Sequence, residues 1–293
     1  MKRTASAHAG RAARTLVALL GVALLGGCQA VFFRAVNAGG EGIVATSHVY
    51  SDRYALSLDV YRPADAAGAA PVVLFFYGGS WRSGERGEYA FVGKRLAESG
   101  IVAIIADYRK FPVARFPAFE EDAASAARWT FDHATGLGGD PRRIFVAGHS
   151  AGGEIAALLA TDAQYLVVQN LKPRDFAGAI GIAGPYDFLP LTDPKLIEVF
   201  GDESAWPASQ PIRFVDGDEP PFLLLQGDRD RVVDPRNARV MAERLRAAGV
   251  PVTTKRYPNA GHFRILAAIR FASLGATLAD VVAFVRATPP ASR

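Results

Sequence analysis

The chain alternates two kinds of hydrophobic pattern. Five short runs are apolar without interruption: "PVVLFFYGG" from Pro71, "IVAIIADYR" from Ile101, "RIFVAGHS" from Arg143, "GAIGIAG" from Gly178 and "PFLLLQGD" from Pro221. Runs of this length that lack polar alternation predict strands buried on both faces. Between them, apolar residues recur at helical spacing over Glu88–Ser99, Phe119–His133, Ala151–Thr161 and Pro235–Ala248. Strands that alternate with helices predict a mostly parallel sheet with helices on both faces. Ahead of this series, "GIVATSHVY" and "YALSLDVYRP" alternate apolar and polar positions around "SDR", the pattern of an antiparallel hairpin with one wet face. A last strand, "VTTKRYP", and a final helix from about Ile265 to Ala287 bring the expected sheet to about eight strands. One stretch breaks the rhythm. Residues 185–221 carry seven prolines with Tyr186, Phe188, Phe200, Trp206 and Phe214. It is too long for an ordinary connection, so it is expected to form a small cap or pocket wall.

At 293 residues and 50% hydrophobic, the chain is long enough for one large domain with a substantial core. The formal charge of +4 suggests a basic protein until the charges are located. Lys2, Arg3, Arg11 and Arg14 lie in the first 27 residues, which contain no acid; without them 29 cations face 29 acids. Nucleic-acid binding thereby loses its electrostatic support. The same N-terminus has the anatomy of an export signal, with a basic start, the apolar run "TLVALLGVALL", and then "GGC". That run is about half as long as a membrane-crossing helix requires.

The "LGGC" run resembles the lipobox of a bacterial lipoprotein, which implies a signal peptide over residues 1–27 and lipidation of Cys28. A tether over 28–41 would then lead into a catalytic domain over 42–293. Gln29, in place of an aspartate, implies the outer membrane if the source has two. Cys28 is the one cysteine, so no internal disulfide can form.

Candidate chemistry centres on "GHSAG", Gly148 to Gly152. A buried-strand run precedes it and a helical pattern follows, the strand-turn-helix setting of a nucleophile elbow with Ser150 at the bend. A serine hydroxyl needs a base to take its proton, and histidine suits. Of five histidines, His8 lies in the signal, His48 in the hairpin and His133 at a helix end, while His149 adjoins the nucleophile and its side chain is expected to leave the bend in another direction. His262, in "YPNAGHF" after the last strand, occupies the place in chain order that the base takes in this type of site. The acid that orients it comes from "LLLQGDRDRVVD". Asp230 is the choice and Asp228 the alternative, with Asp234 read as the cap of the following helix. Backbone donors for an oxyanion are expected from Gly79 and Ser80, after the strand ending "FFYGG", together with Ala151.

With these motifs in place, the chain is similar to the α/β-hydrolase superfamily of esterases and lipases. The resemblance covers roughly Gly42 to the C-terminus. It points to the branch with carboxylesterases, feruloyl-esterase-like proteins, isoprenylcysteine methylesterases and kynurenine formamidases. It implies an α/β-hydrolase fold and cofactor-free cleavage of a small-molecule ester by Ser150, His262 and Asp230. Where relatives start the oxyanion loop with His-Gly-Gly, this chain has Tyr77, which should leave the backbone donors intact and change how the loop is braced. An arylformamidase acting on a formamide would use the same groups. A surface lipoprotein that keeps the fold without catalysis is the remaining expectation, although all the expected catalytic residues are present. The histidines lack metal-ligand spacing, so no metal site is expected.

Overall fold

The computed structural model describes residues 29–38, 43–64 and 69–291. The chain divides into two units, Met1–Gly39 and Gly40–Arg293. In the first, residues 29–37 form helix α1, and Asn37 Nδ2 donates to the Phe33 carbonyl at 3.0 Å. The expected signal peptide and Cys28 lie outside the described residues.

The second unit is built on eight strands: β1 (Thr46–Ser51), β2 (Leu56–Tyr61), β3 (Ala70–Phe76), β4 (Val102–Ala106), β5 (Gly139–His149), β6 (Gly178–Ile182), β7 (Phe222–Gly227) and β8 (Val252–Tyr257). They lie in the order β1-β2-β4-β3-β5-β6-β7-β8. β2 pairs antiparallel with both β1 and β4, and every pair from β4 through β8 is parallel. The five uninterrupted apolar runs are the five central strands, β4, β3, β5, β6 and β7. The edge strands β1 and β8 carry the exposed positions, whereas β2, whose alternation predicts one wet face, is buried along most of its length between β1 and β4.

The helices are α2 (Ala90–Glu98), α3 (Ala118–His133), α4 (Ala151–Thr161), α5 (Ala163–Val167), α6 (Pro194–Phe200), α7 (Arg236–Ala247), α8 (His262–Ala267) and α9 (Thr277–Ala287). α7 buries Ala238, Met241, Ala242 and Leu245 on one stripe and exposes arginines on the other. α4 is different, with every residue buried, in keeping with a helix that is apolar almost all round and carries one acid, Glu154.

Three readings differ from the pattern along the chain. The single helix expected from about Ile265 to Ala287 is two, α8 and α9, separated by a 3-10 turn at Ala272–Leu274 and by Gly275 at φ +158°. Apolar spacing continued across the break because both helices face the core. α5 was not anticipated; it starts where the Asp162 carboxylate caps the Gln164 N–H at 3.1 Å. Residues 185–221 are less irregular than their prolines suggest. Pro194 opens α6 behind an Asp193 cap, and 3-10 turns follow at Glu203–Ser209 and Pro211–Phe214.

The sheet decides where chemistry can gather. β3, β5, β6, β7 and β8 are consecutive parallel neighbours, so their C-terminal ends share one edge: Phe76 lies opposite Gly148, His149 opposite Ile182, and Gly227 opposite Tyr257. Loops leaving these ends converge, which is where open α/β sheets bind ligands.

Candidate active site

Ser150 joins β5 to α4 at φ +56° and ψ −123°, a left-handed conformation that side chains rarely adopt. The bend is closed by hydrogen bonds, with the Ser150 N–H donating to Ile182 O (2.9 Å) and its carbonyl accepting from Gly153 N (2.8 Å) and Glu154 N (3.2 Å). Two glycines make room for it. A Cβ on Gly148 would lie 1.9 Å from Gly152 O, and one on Gly152 would lie 2.1 Å from Phe76 O. Ser150 opens onto a cleft of about 440 Å³ whose walls include Ser80, Trp81, Phe188, Leu196 and Val232.

The loop after β7 carries Asp230, and α8 begins with His262. His262 Nδ1 lies 2.8 Å from Asp230 Oδ2, and both side chains are buried. The other Asp230 oxygen accepts the N–H groups of Val232 (2.8 Å) and Val233 (3.0 Å), and Gln226 Nε2 donates to Oδ2 at 3.1 Å. Burial pushes this carboxyl up, but the hydrogen bond and charge of His262, with the two backbone donors, outweigh it and hold Asp230 below the usual carboxylate range. Asp228 instead pairs with Arg256 at 2.9 Å, and the Asp234 carboxylate accepts the Arg236 N–H at 2.9 Å as α7 begins.

The loop after β3 runs left-handed through Gly79 (φ +138°), Ser80 (φ +53°) and Trp81 (φ +56°). Its turn is closed by the Gly79 carbonyl, which accepts from Arg82 N and Ser83 N, each at 3.0 Å. The Gly78 N–H is spent on Tyr89 Oη at 3.1 Å, whereas no hydrogen bond among the described residues engages the N–H of Gly79 or Ser80. Tyr77 braces the loop from below. Its hydroxyl donates to Asp107 (3.1 Å) and accepts from Lys110 Nζ (2.8 Å), its carbonyl accepts from Tyr108 Oη (2.9 Å), and its ring stacks on Tyr108 at 4.7 Å.

Several contacts at the site were not anticipated from sequence. Trp81 Nε1 donates to Glu154 Oε2 at 3.0 Å, tying the loop after β3 to α4. Glu154 and Glu120 are both fully buried. Burial pushes both carboxyls well above their usual range, and the charge of Glu154 raises Glu120 further. As two carboxylates they would leave both Glu120 oxygens without a donor; a proton on Glu120 lets one of them donate to Glu154. A signal did exist, since Glu154 is the one charge in a helix otherwise apolar. Buried amides hold the 185–221 segment. Asn237 Oδ1 accepts from Tyr186 N (2.7 Å) and Asp187 N (2.8 Å), and Gln210 Oε1 accepts from Phe188 N (2.8 Å). Phe188 and Phe200 then meet the Trp81 ring at 6.0 and 4.9 Å.

Among the described residues no group of three or more His, Cys, Asp or Glu is placed to hold a metal ion, and no helix is long and apolar enough to cross a membrane.

Comparison with known proteins adds three findings. The BD-FAE family matches residues 58–245. Among curated proteins, Esterase LipC of Mycobacterium tuberculosis is 35% identical over 240 residues, covering 73% of this chain and 58% of its own. A probable isoprenylcysteine alpha-carbonyl methylesterase, ICMEL1 of Oryza sativa subsp. japonica, is 37% identical over 160 residues, 51% of this chain and 36% of its own. The chain thus spans less than two thirds of the length of these relatives. Among solved structures, the thermophilic esterase Est2 of Thermogutta terrifontis superposes with a TM-score of 0.68 at 26% identity, over 83% of this chain and 93% of that one.

Proposed function

Because the chain belongs to the BD-FAE family and has the α/β-hydrolase fold, we propose that it is a serine hydrolase that cleaves small carboxylic esters through an acyl-enzyme. The observation that carries this reading is the buried 2.8 Å bond between His262 and Asp230, brought to the same sheet edge as a serine held in a strained bend. In the first half-reaction Ser150 Oγ attacks the acyl carbon while His262 takes its proton, leaving a tetrahedral oxyanion. The N–H groups of Gly79, Ser80 and Ala151 stabilise that charge, each worth roughly 3 to 4 kcal/mol when removed singly. His262 passes the proton to the leaving alcohol, and water then cleaves the acyl-enzyme by the same relay reversed. Asp230 stays ionised throughout, orienting the imidazole and balancing its charge. Its depressed pKa suits that task.

A panel of short p-nitrophenyl acyl esters, aryl esters and N-formylkynurenine, run on wild type and Ser150→Ala, tests the reading. Ester turnover that vanishes in the variant is expected. Turnover that survives the substitution overturns it, and a marked preference for the formamide moves the activity to an arylformamidase. No turnover, with Ser150 unlabelled by a fluorophosphonate in folded protein, would leave a lipoprotein that keeps the fold as a binding module.

We also propose, from the "LGGC" run, that the protein is exported and membrane-anchored through a lipidated Cys28. Metabolic labelling with a palmitate analogue should tag wild type and not Cys28→Ala. Equal labelling of both would refute the anchor.

A further inference from the structure

His149 precedes the nucleophile and takes no part in the steps above, yet it touches each of the other two catalytic loops. Its Nδ1 lies 2.9 Å from Tyr89 Oη, which accepts the Gly78 N–H at 3.1 Å; its Nε2 lies 3.4 Å from the main-chain carbonyl of His262. The two imidazole rings are 4.7 Å apart, and His149 and Tyr89 are both buried. We infer that His149, acting with Tyr89, is a positioning residue that holds the oxyanion loop and the base-bearing loop in register with Ser150. The inference rests on the catalytic roles proposed above.

One order of protons satisfies every group in this chain of contacts. A carbonyl only accepts, so the hydrogen must be on His149 Nε2. The neutral ring then has a lone pair at Nδ1, which takes the Tyr89 hydroxyl proton, and the tyrosine oxygen in turn accepts from Gly78. A protonated His149 would turn Nδ1 into a donor aimed at a hydroxyl that already receives the Gly78 N–H. Burial, and then the charge of neighbouring His262, keep His149 well below the ordinary histidine range, so the neutral form persists.

The three contacts fall on the parts whose spacing matters to catalysis. Gly78 immediately precedes Gly79 and Ser80, His149 precedes Ser150, and the carbonyl belongs to the base itself. Each loop leaves a different strand, and displacements near 1 Å in such a site cost about a hundredfold in rate. A glycine at position 78 fits the same arrangement. A Cβ there would lie 3.0 Å from the His149 carbonyl oxygen and 3.1 Å from Nδ1.

Tyr89→Phe deletes one oxygen and leaves the Gly78 N–H and His149 Nδ1 without their shared partner. On p-nitrophenyl butyrate, with active sites counted by fluorophosphonate titration, kcat should fall about ten- to a hundredfold. KM should stay within about twofold, and the acid limb of the pH–rate profile should not move, because burial keeps the removed phenol neutral throughout that range. His149→Gln, whose amide supplies one donor and one acceptor, should keep more activity per titrated site than His149→Leu. Wild-type kcat in Tyr89→Phe, or equal losses in the two His149 variants, overturns the inference. An active wild type with an unaffected Tyr89→Phe removes this inference alone. A wild type with no Ser150-dependent turnover removes the proposed function and this inference together.

Discussion

At Ser150 the backbone holds a conformation that costs about 1 to 3 kcal/mol in isolation. The surrounding bonds to Ile182, Gly153 and Glu154 offset that cost, and the glycines at 148 and 152 give the bend its space. Gly148→Ala forces a methyl to 1.9 Å from the Gly152 carbonyl, so the elbow must shift. The expected result is a loss of about 2 to 4 kcal/mol in denaturant unfolding, with Ser150 no longer labelled at the wild-type rate. Asp230→Asn keeps the shape and removes the charge, and an amide that donates to Nδ1 would select the wrong histidine tautomer. Its kcat should drop by about a thousandfold or more with KM little changed, as measured by steady-state kinetics. Ser150 and His262 could be named as candidates from the sequence because the motif around the serine and the chain order of the two are written along it. The choice between Asp228 and Asp230 was less legible, and geometry separates them: one faces Arg256 and the other His262. The contacts of Tyr89 with His149, of His149 with the His262 carbonyl and of Glu154 with Trp81 were not legible, since each joins segments 60 or more residues apart.

At the scale of elements, α4 is read correctly from its apolar run but not from its one acid. Glu154 links that helix to the oxyanion loop through Trp81 and to α3 through Glu120. Burial and the charge of Glu154 push the Glu120 carboxyl well above the usual carboxylate range in the folded state, while the unfolded chain releases its proton above a pKa near 4.3. A raised folded pKa contributes stability below that value and loses it as pH rises toward the folded value, at up to about 1.4 kcal/mol per pH unit. Glu120→Gln holds its amide protons at every pH, so the Tm difference from wild type should move in the variant's favour between pH 5 and pH 8. A pH-independent difference would show that Glu120 is not the proton carrier. The centre of the sheet was legible from uninterrupted apolar runs and the antiparallel hairpin from alternation, but the same alternation in β2 did not show that its polar positions would be covered. The break between α8 and α9 was not, because spacing reports which face is buried and is silent on whether the helix axis continues.

For the molecule as a whole, the parallel order from β3 to β8 does the assembling. Groups at Gly79, Ser150, Asp230 and His262 are scattered over most of the sequence, yet all leave C-terminal ends along one edge of the sheet. All of them lie in the unit Gly40–Arg293. A chain starting at residue 29 should therefore hydrolyse p-nitrophenyl esters with the kcat of the full chain, measured on purified proteins; a large loss would assign a catalytic part to the leader. The wall formed by residues 185–221 should govern which acyl groups fit. Phe188→Ala, opening the cleft beside Trp81, should shift preference toward longer chains, read as the ratio of kcat/KM for octanoate over acetate esters.

Of the three tryptophans in the chain, at positions 81, 129 and 206, Trp81 is the one that lines the cleft. Its indole is out of water, anchored by its N–H to a buried carboxyl, and one residue from a proposed oxyanion donor. On the proposed mechanism an acyl group on Ser150 should change the medium around that ring, whereas Trp129 and Trp206 are not part of the cleft wall. Trp81 should therefore serve as an optical reporter: a change in ultraviolet emission that Trp81→Phe abolishes should follow the proposed acylation and deacylation in a stopped-flow instrument, with substrates that bear no chromophore.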